Sequence, residues 1–229
     1  MSVYVVIDPG HGGEDPGAIG HGLQEKDVVL NISKKINDHF GQYEGVAVSL
    51  TRWDDRFISL SDRAKFANDR GADLFISIHN NAAGSSAHGF ESFIHPYASQ
   101  TTAKYQDVIH SHIMGYLSSF DIRDRGKKKE DFAVLRETAM PAVLLENLFI
   151  TNQRESQLLK DDAFLDGLAK SIVEGVAAIF NLQKKEPKPM YRITVDGQVI
   201  YDTAYESKIT DAVLNAVRNE AQEINLKKL

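Results

Sequence analysis

The sequence predicts an α/β fold: helices layered on a mainly parallel sheet, followed by a small α+β module at the C-terminus. Three observations carry this. Short apolar runs of strand length alternate with segments of helical periodicity through most of the chain. A polar, proline-bearing stretch at residues 183–189 then changes the composition, as a linker does. Beyond it, Asp196-Gly197 sits between two apolar segments, a strong hairpin signal.

Residues 3–8 form an apolar run ending at Pro9-Gly10, consistent with a buried strand, and a glycine-rich stretch follows to Gly22. Val28, Val29, Ile32 and Ile36 recur at helical spacing over 25–39. A strand is expected at 46–50, a helix at 60–70 ended by Gly71, and a strand at 73–78 with His79 at its end. Further on, the pattern predicts a strand at 89–95, a helix at 101–120 and a basic loop at 121–130. Short strands at 132–135 and 142–146 and an amphipathic helix at 164–180 complete the domain, 1–182. The module at 190–229 reads as a hairpin, a helix at 208–221 and a short strand at 223–226.

The 229 residues suffice for one ordinary domain plus a small extra, and a hydrophobic content of 42% supports a sizeable core. A formal net charge of −6 offers no basic excess for phosphates, which argues against nucleic acid. There is no cysteine, so any zinc must rest on His, Asp or Glu, and no disulfide contributes to stability. No run approaches the roughly 20 apolar residues of a membrane span, and the N-terminus reads as a strand rather than an export signal.

In open α/β sheets ligands gather beyond the carboxyl ends of the strands. Three expected strands lead to reactive residues there: the first through Asp8-Pro9-Gly10 to His11, the others to His79 and Glu146. Glu25, opening the first helix, reaches the same rim after the glycine loop. Two His and one carboxylate suit a catalytic zinc with a fourth position left for water. One glutamate then serves as ligand and the other as base, and spacing alone does not say which.

A solitary His is usually not a ligand, and His21, His39, His88, His95, His110 and His112 are read that way, with His39, His110 and His112 expected at the surface. Glu25 alone would read as an acid favoured by a helix N-terminus. Glu146 is different, because the apolar residues 142–145 and 148–150 on either side predict its burial, and a buried carboxylate needs a partner or a metal. Gly10, Gly12, Gly13 and Gly17 match neither GxGxxG nor a P-loop, so nucleotide binding is not expected.

Taken together these motifs resemble the zinc-dependent N-acetylmuramoyl-L-alanine amidases of bacterial cell walls and bacteriophage lysins, over residues 3–182. Val6-Ile7-Asp8-Pro9-Gly10-His11-Gly12-Gly13 is similar to the first metal motif, Glu25-Lys26-Asp27 with Leu30 to the second, and Ser77-Ile78-His79-Asn80-Asn81-Ala82 to the third. Thr51-Arg52, Leu60, Arg63 and Ala67-Asn68 resemble a family helical segment. Leu135-Arg136, Met140 to Glu146 and Phe149-Ile150-Thr151-Asn152 resemble the catalytic strand and its exit. The resemblance implies a twisted sheet flanked by helices, with His11, Glu25 and His79 as zinc ligands and Glu146 as catalytic acid/base. It also implies hydrolysis of the amide between N-acetylmuramic acid and L-alanine in peptidoglycan. Asn81 is a candidate substrate contact. Asn147-Leu148 departs from the family, whose members commonly carry a small residue and Gly there.

The alternatives are a zinc peptidase cutting within the stem peptide and a non-catalytic wall-binding protein. Without a visible export signal, a lytic enzyme made in the cytoplasm would reach the wall through a pore or by lysis, as an endolysin does. The C-terminal module weakly resembles small wall-targeting modules. Its hairpin edges predict self-association into a homodimer with bivalent wall binding.

Overall fold

The computed structural model describes residues 2–186, 190–204 and 206–229. It contains two compact units, Met1–Lys184 and Lys185–Leu229. The linker expected at 183–189 lies partly outside the described residues, at 187–189. Its first two residues belong to the larger unit, where Gln183 O accepts from Glu44 N and Lys184 bridges Tyr43.

The larger unit begins with strand β1 (Val3–Pro9), the short pair β2 (Ile19–Gly20) and β3 (Leu23–Gln24), and helix α1 (Glu25–Phe40). Next come β4 (Val46–Leu50), α2 (Leu60–Asp69), β5 (Leu74–Asn81), β6 (Phe90–Ile94) and α3 (Gln100–Leu117). It ends with β7 (Asp124–Lys129), α4 (Ala133–Arg136), β8 (Ala142–Phe149), α5 (Gln153–Leu158) and α6 (Asp162–Phe180). Six strands form one sheet in the order β4-β1-β5-β8-β6-β7. The first four run parallel, and β6 is antiparallel to β8.

Side chains alternate between two buried faces. Val5 and Ile7 of β1, Ile76 and Ile78 of β5, and Val143 and Leu145 of β8 pack in the larger core with residues of α1, α3 and α6. Val6, Phe75 and Leu144 face the smaller core with Ala67 of α2 and Val134 and Leu135 of α4. Burial on both faces explains why β5 and β8 read as continuous apolar runs.

Several expectations are corrected. Residues 121–130, expected as a loop, contain β7. Its polar, lysine-rich sequence suits an edge strand that pairs only with β6. Residues 132–135, expected as a strand, form the single-turn helix α4, since four apolar residues carry no period that separates helix from strand. His110, expected at the surface, is buried where α3 crosses β6, between Ser92 Oγ at 2.8 Å and Asp124 Oδ1 at 3.0 Å. His39 is half-buried and meets Asp166 at 2.9 Å. Helix α5 was not anticipated; Asn152 caps it.

The smaller unit comprises β9 (Tyr191–Val195), β10 (Gln198–Thr203), α7 (Glu206–Arg218) and β11 (Ile224–Lys228). Asp196 and Gly197, at φ 48° and 80°, turn the hairpin. β11 pairs antiparallel with β9, so the sheet has three strands in the order β10-β9-β11 rather than a bare hairpin. Ile193 at its centre is fully buried, and α7 buries Ala212 and Ala216.

Helix packing in the larger unit yields a paired test. A Cβ at Gly167 of α6 would lie 2.4 Å from the Tyr116 ring of α3, whereas one at exposed Gly115 would meet nothing within 4 Å. Gly167→Ala should destabilise the fold by about 1–3 kcal/mol. Gly115→Ala should stabilise it by about 0.5–1 kcal/mol. Urea unfolding of the two variants against the parent checks both signs.

Candidate metal centre

The register places three strand ends abreast. Pro9 pairs with Ile78, and His79 pairs with Glu146. Alternation along β5 and β8 turns His79 and Glu146 to the α2–α4 side of the sheet, the side of Phe75 and Leu144.

His11 lies beyond the end of β1 with φ 60°, a left-handed conformation uncommon for a side chain larger than glycine. Two buried arginines hold it there. Arg52 donates to Pro9 O at 3.0 Å and Gly10 O at 2.7 Å. Arg63 donates to Pro9 O and His11 O, each at 2.6 Å, and forms an ion pair with buried Asp8 at 2.8 Å. Asp8 also accepts from Thr51 Oγ1 at 2.6 Å and Ser77 Oγ at 2.8 Å. The loop carbonyls and the buried carboxylate are thus satisfied together.

Glu25, the first residue of α1, is buried, and both its oxygens are engaged. Oε1 lies 3.0 Å from His79 Nδ1 and accepts from Asn80 N at 2.9 Å. Oε2 lies 3.1 Å from His11 Nε2 and accepts from Ala18 N at 2.9 Å. Asp15 Oδ2, 2.8 Å from His11 Nδ1, fixes that ring so that its other nitrogen faces Glu25. One potential ligand atom from each of His11, Glu25 and His79 falls within 4.8 Å of the others. Glycines make room for them: a Cβ at Gly10 would lie 2.3 Å from the His79 ring, and one at Gly17 would lie 2.6 Å from His11.

Charge follows the geometry. Burial pushes the Glu25 carboxyl upward, but His11 and His79 outweigh it and hold the pKa well below the usual carboxylate range. Burial opposes protonation of His79, yet Glu25 raises its pKa, and His11 behaves alike. Glu146 goes the other way. Burial lifts its pKa to about 7, opposed by His79 and reinforced by the negative charges of Glu25 and Glu91. Its buried Oε2 has no hydrogen-bond partner among the described residues.

Two nitrogens and one carboxylate oxygen converging without thiolate are a donor set that fits zinc. His11, Glu25, His79, Glu146 and Asn81 all line a cavity of about 350 Å³, walled on its apolar side by Leu60, Phe132, Val134 and Leu144. The other histidines stay outside this cavity. Asn81 donates to buried Glu91 at 2.6 Å. Sequence reasoning gave no role to Asp15, Arg52, Arg63 or Glu91. Only Asp15, four residues after His11 within the glycine loop, carried a spacing from which its role was readable.

After Glu146 the ladder shifts. From His79–Glu146 to Asn81–Phe149, β5 advances two residues and β8 three, a bulge at Asn147-Leu148. Leu148 has φ 67°, a left-handed conformation that glycine adopts more readily than leucine. Asn147 donates to His79 O at 3.1 Å, joining the bulge to the His79 strand.

A half-buried carboxylate with one enclosed, unpartnered oxygen beside a His-Glu-His group at the rim of a mainly parallel sheet defines a candidate metallohydrolase. The N-acetylmuramoyl-L-alanine amidase family profile matches residues 5–178. The chain is 44% identical over 194 residues to the sporulation-specific N-acetylmuramoyl-L-alanine amidase of Bacillus subtilis (strain 168), covering 84% of this chain and 74% of that protein. It is 48% identical over 187 residues to the endolysin of Bacillus phage SPP1, covering 81% and 69% respectively. The crystal structure of an N-acetylmuramoyl-L-alanine amidase from Clostridium difficile 630 superposes with a TM-score of 0.76 at 38% identity, over 79% of this chain and 97% of that one. The chain belongs to the N-acetylmuramoyl-L-alanine amidase family of peptidoglycan hydrolases.

The arginine brace is open to test. Arg63→Met leaves Asp8 with no cation and uncovers the His11 loop. Removing one partner of a buried pair costs about 3–5 kcal/mol, so chemical denaturation should show a loss of that order. An unchanged midpoint would mean that the pair does not hold the loop.

Proposed function

We propose that the chain is a zinc-dependent N-acetylmuramoyl-L-alanine amidase, in which His11, Glu25 and His79 hold the metal and Glu146 is the acid/base. The observation that carries this is half-buried Glu146, abreast of His79 and with an oxygen that no other group of the described residues occupies. Zinc, when bound, supplies a Lewis acid that polarises a carbonyl and lowers the pKa of a water from about 15.7 to about 7.

The chain's own residues supply the rest. Glu25 accepts from two backbone amides, which fixes its carboxylate, and Asp15 fixes His11. Glu146, with a pKa of about 7, accepts the attacking water's proton on its carboxylate and delivers it to the departing amine of L-alanine. Leu60, Phe132, Val134 and Leu144 offer an apolar wall against which the substrate packs. A stem-peptide endopeptidase would share this machinery. The family match favours the muramoyl amide, and mass spectrometry of digested walls should show peptides that begin with L-alanine; uncut L-alanine amides with shorter peptides would favour the endopeptidase. A pure binding module has no use for a base beside a group of potential metal ligands.

The wall is the proposed site of action. A lytic role, with release through a pore or by lysis, rests on the similarity to a phage endolysin. Among the described residues no helix is long and apolar enough to cross a membrane. The smaller unit is proposed to target the wall or to pair two copies. Light scattering should give a dimer for the full chain and a monomer for a chain ended at Glu186; two monomers with equal wall binding remove that role.

Metal analysis should return about one zinc per chain, lost in His79→Ala; full zinc content in that variant would reassign the ligand set. Glu146→Gln should keep zinc and fold while activity on isolated walls falls about 10²–10⁴-fold. Loss of zinc instead would make Glu146 a ligand.

A further inference from the structure

Across the sheet, the functional row does not stop at Glu146. Glu146 pairs with Glu91 of β6, so His79, Glu146 and Glu91 lie abreast on three adjacent strands. Glu91 is buried, and its carboxylate has three partners. Asn81 donates at 2.6 Å to one oxygen, while Arg125 Nε at 2.8 Å and Lys128 Nζ donate to the other. Both cations stand on the edge strand β7, with side chains 26% and 38% exposed. Two cations share one carboxylate, which leaves a positive charge in excess at the rim of an otherwise acidic chain. Arg125 uses only Nε for Glu91. Among the described residues its two terminal nitrogens have no hydrogen-bond partner, and its guanidinium lies 4.8 Å from the Phe149 ring centre. Glu91 and that ring hold the guanidinium in place with its fork free, an arrangement suited to bidentate carboxylate binding.

The geometry points to a substrate subsite here: Arg125 and Lys128, set by Glu91, bind a carboxylate of the peptide on the leaving side of the scissile amide. This rests on the amidase reading above. Adjacent strands lie about 4.8 Å apart, so two steps from β8 to β7 span about 10 Å. An extended peptide rises about 3.3 Å per residue, so the carboxylate recognised belongs to about the third residue after the cut. Asn81 lines the reaction cavity and donates to Glu91, which connects the two ends of the path. The peptide therefore crosses Glu146 toward β7, and the muramoyl group lies on the other side, toward Leu60.

Two synthetic muramoyl peptides test this, one with free peptide carboxylates and one with all of them capped as amides. The zinc-loaded full chain should cleave the free form with a kcat/KM about tenfold higher or more, expressed mainly in KM. Arg125→Gln should bring that ratio close to one. Arg125→Lys, which keeps the charge without the fork, should restore part of it. Equal rates of the parent enzyme on both substrates would overturn the subsite without recourse to any variant, and so would a preference that Arg125→Gln leaves intact. Calorimetric binding of the free and amidated peptides alone keeps the two readings apart. Cleavage at another bond removes the amidase assignment, whereas equal affinity for the two peptides removes only the subsite.

Discussion

Everything at the site depends on the parallel register of β1, β5 and β8. A parallel ladder brings strand ends to a common level only if the offsets are fixed, and here both faces of the strands are buried to fix them. A slip of one residue would send His79 and Glu146 into the core beneath α1, α3 and α6, where Ile78 and Leu145 now sit. The apolar packing of two cores therefore sets the position of two polar side chains, and the reactive groups need contribute nothing to their own placement.

The loop that carries His11 cannot rely on strand pairing and is held differently. Three consecutive carbonyls, of residues 9, 10 and 11, are taken up by Arg52 and Arg63. A buried guanidinium needs acceptors, a left-handed backbone needs restraint, and each requirement answers the other. The same economy appears at Glu25, which accepts from the backbone of both flanking segments while facing both histidines. The donor group is thus arranged before any ligand arrives, which lowers the entropic cost of binding one.

Much of this was legible in the sequence, for identifiable reasons. Strands buried on both faces announce themselves as apolar runs, and their ends point to His11, His79 and Glu146. The apolar neighbours at 142–145 and 148–150 predicted a buried Glu146; the residue is half-buried, with its Oε2 enclosed. The choice between Glu25 and Glu146 as ligand was not legible from spacing; it needed the family motifs. β7 was missed because an edge strand is held by backbone bonds that its lysines do not reveal. α4 was misread because a single turn has too few residues to show a period. His110 was placed outside because its partners, Ser92 and Asp124, come from distant strands. The arginine brace and the Glu91 group were invisible for the same reason: buried charges are recognisable only once their long-range partners are known.

The bulge at Asn147-Leu148 has a further consequence. The bulge absorbs the extra residue of β8, so Glu146 and Phe149, three positions apart, stand on one side of the sheet opposite His79 and Asn81. Deleting one bulged residue would leave two on each strand and straighten the ladder with Phe149 still opposite Asn81, at the cost of the bond from Asn147 to His79 O or of the Leu148 side chain in the larger core. Asn147 and Leu148 are both fully buried, so neither is free to change its character. The strand thus gains a side chain at the edge of the site while every residue beyond it keeps its face.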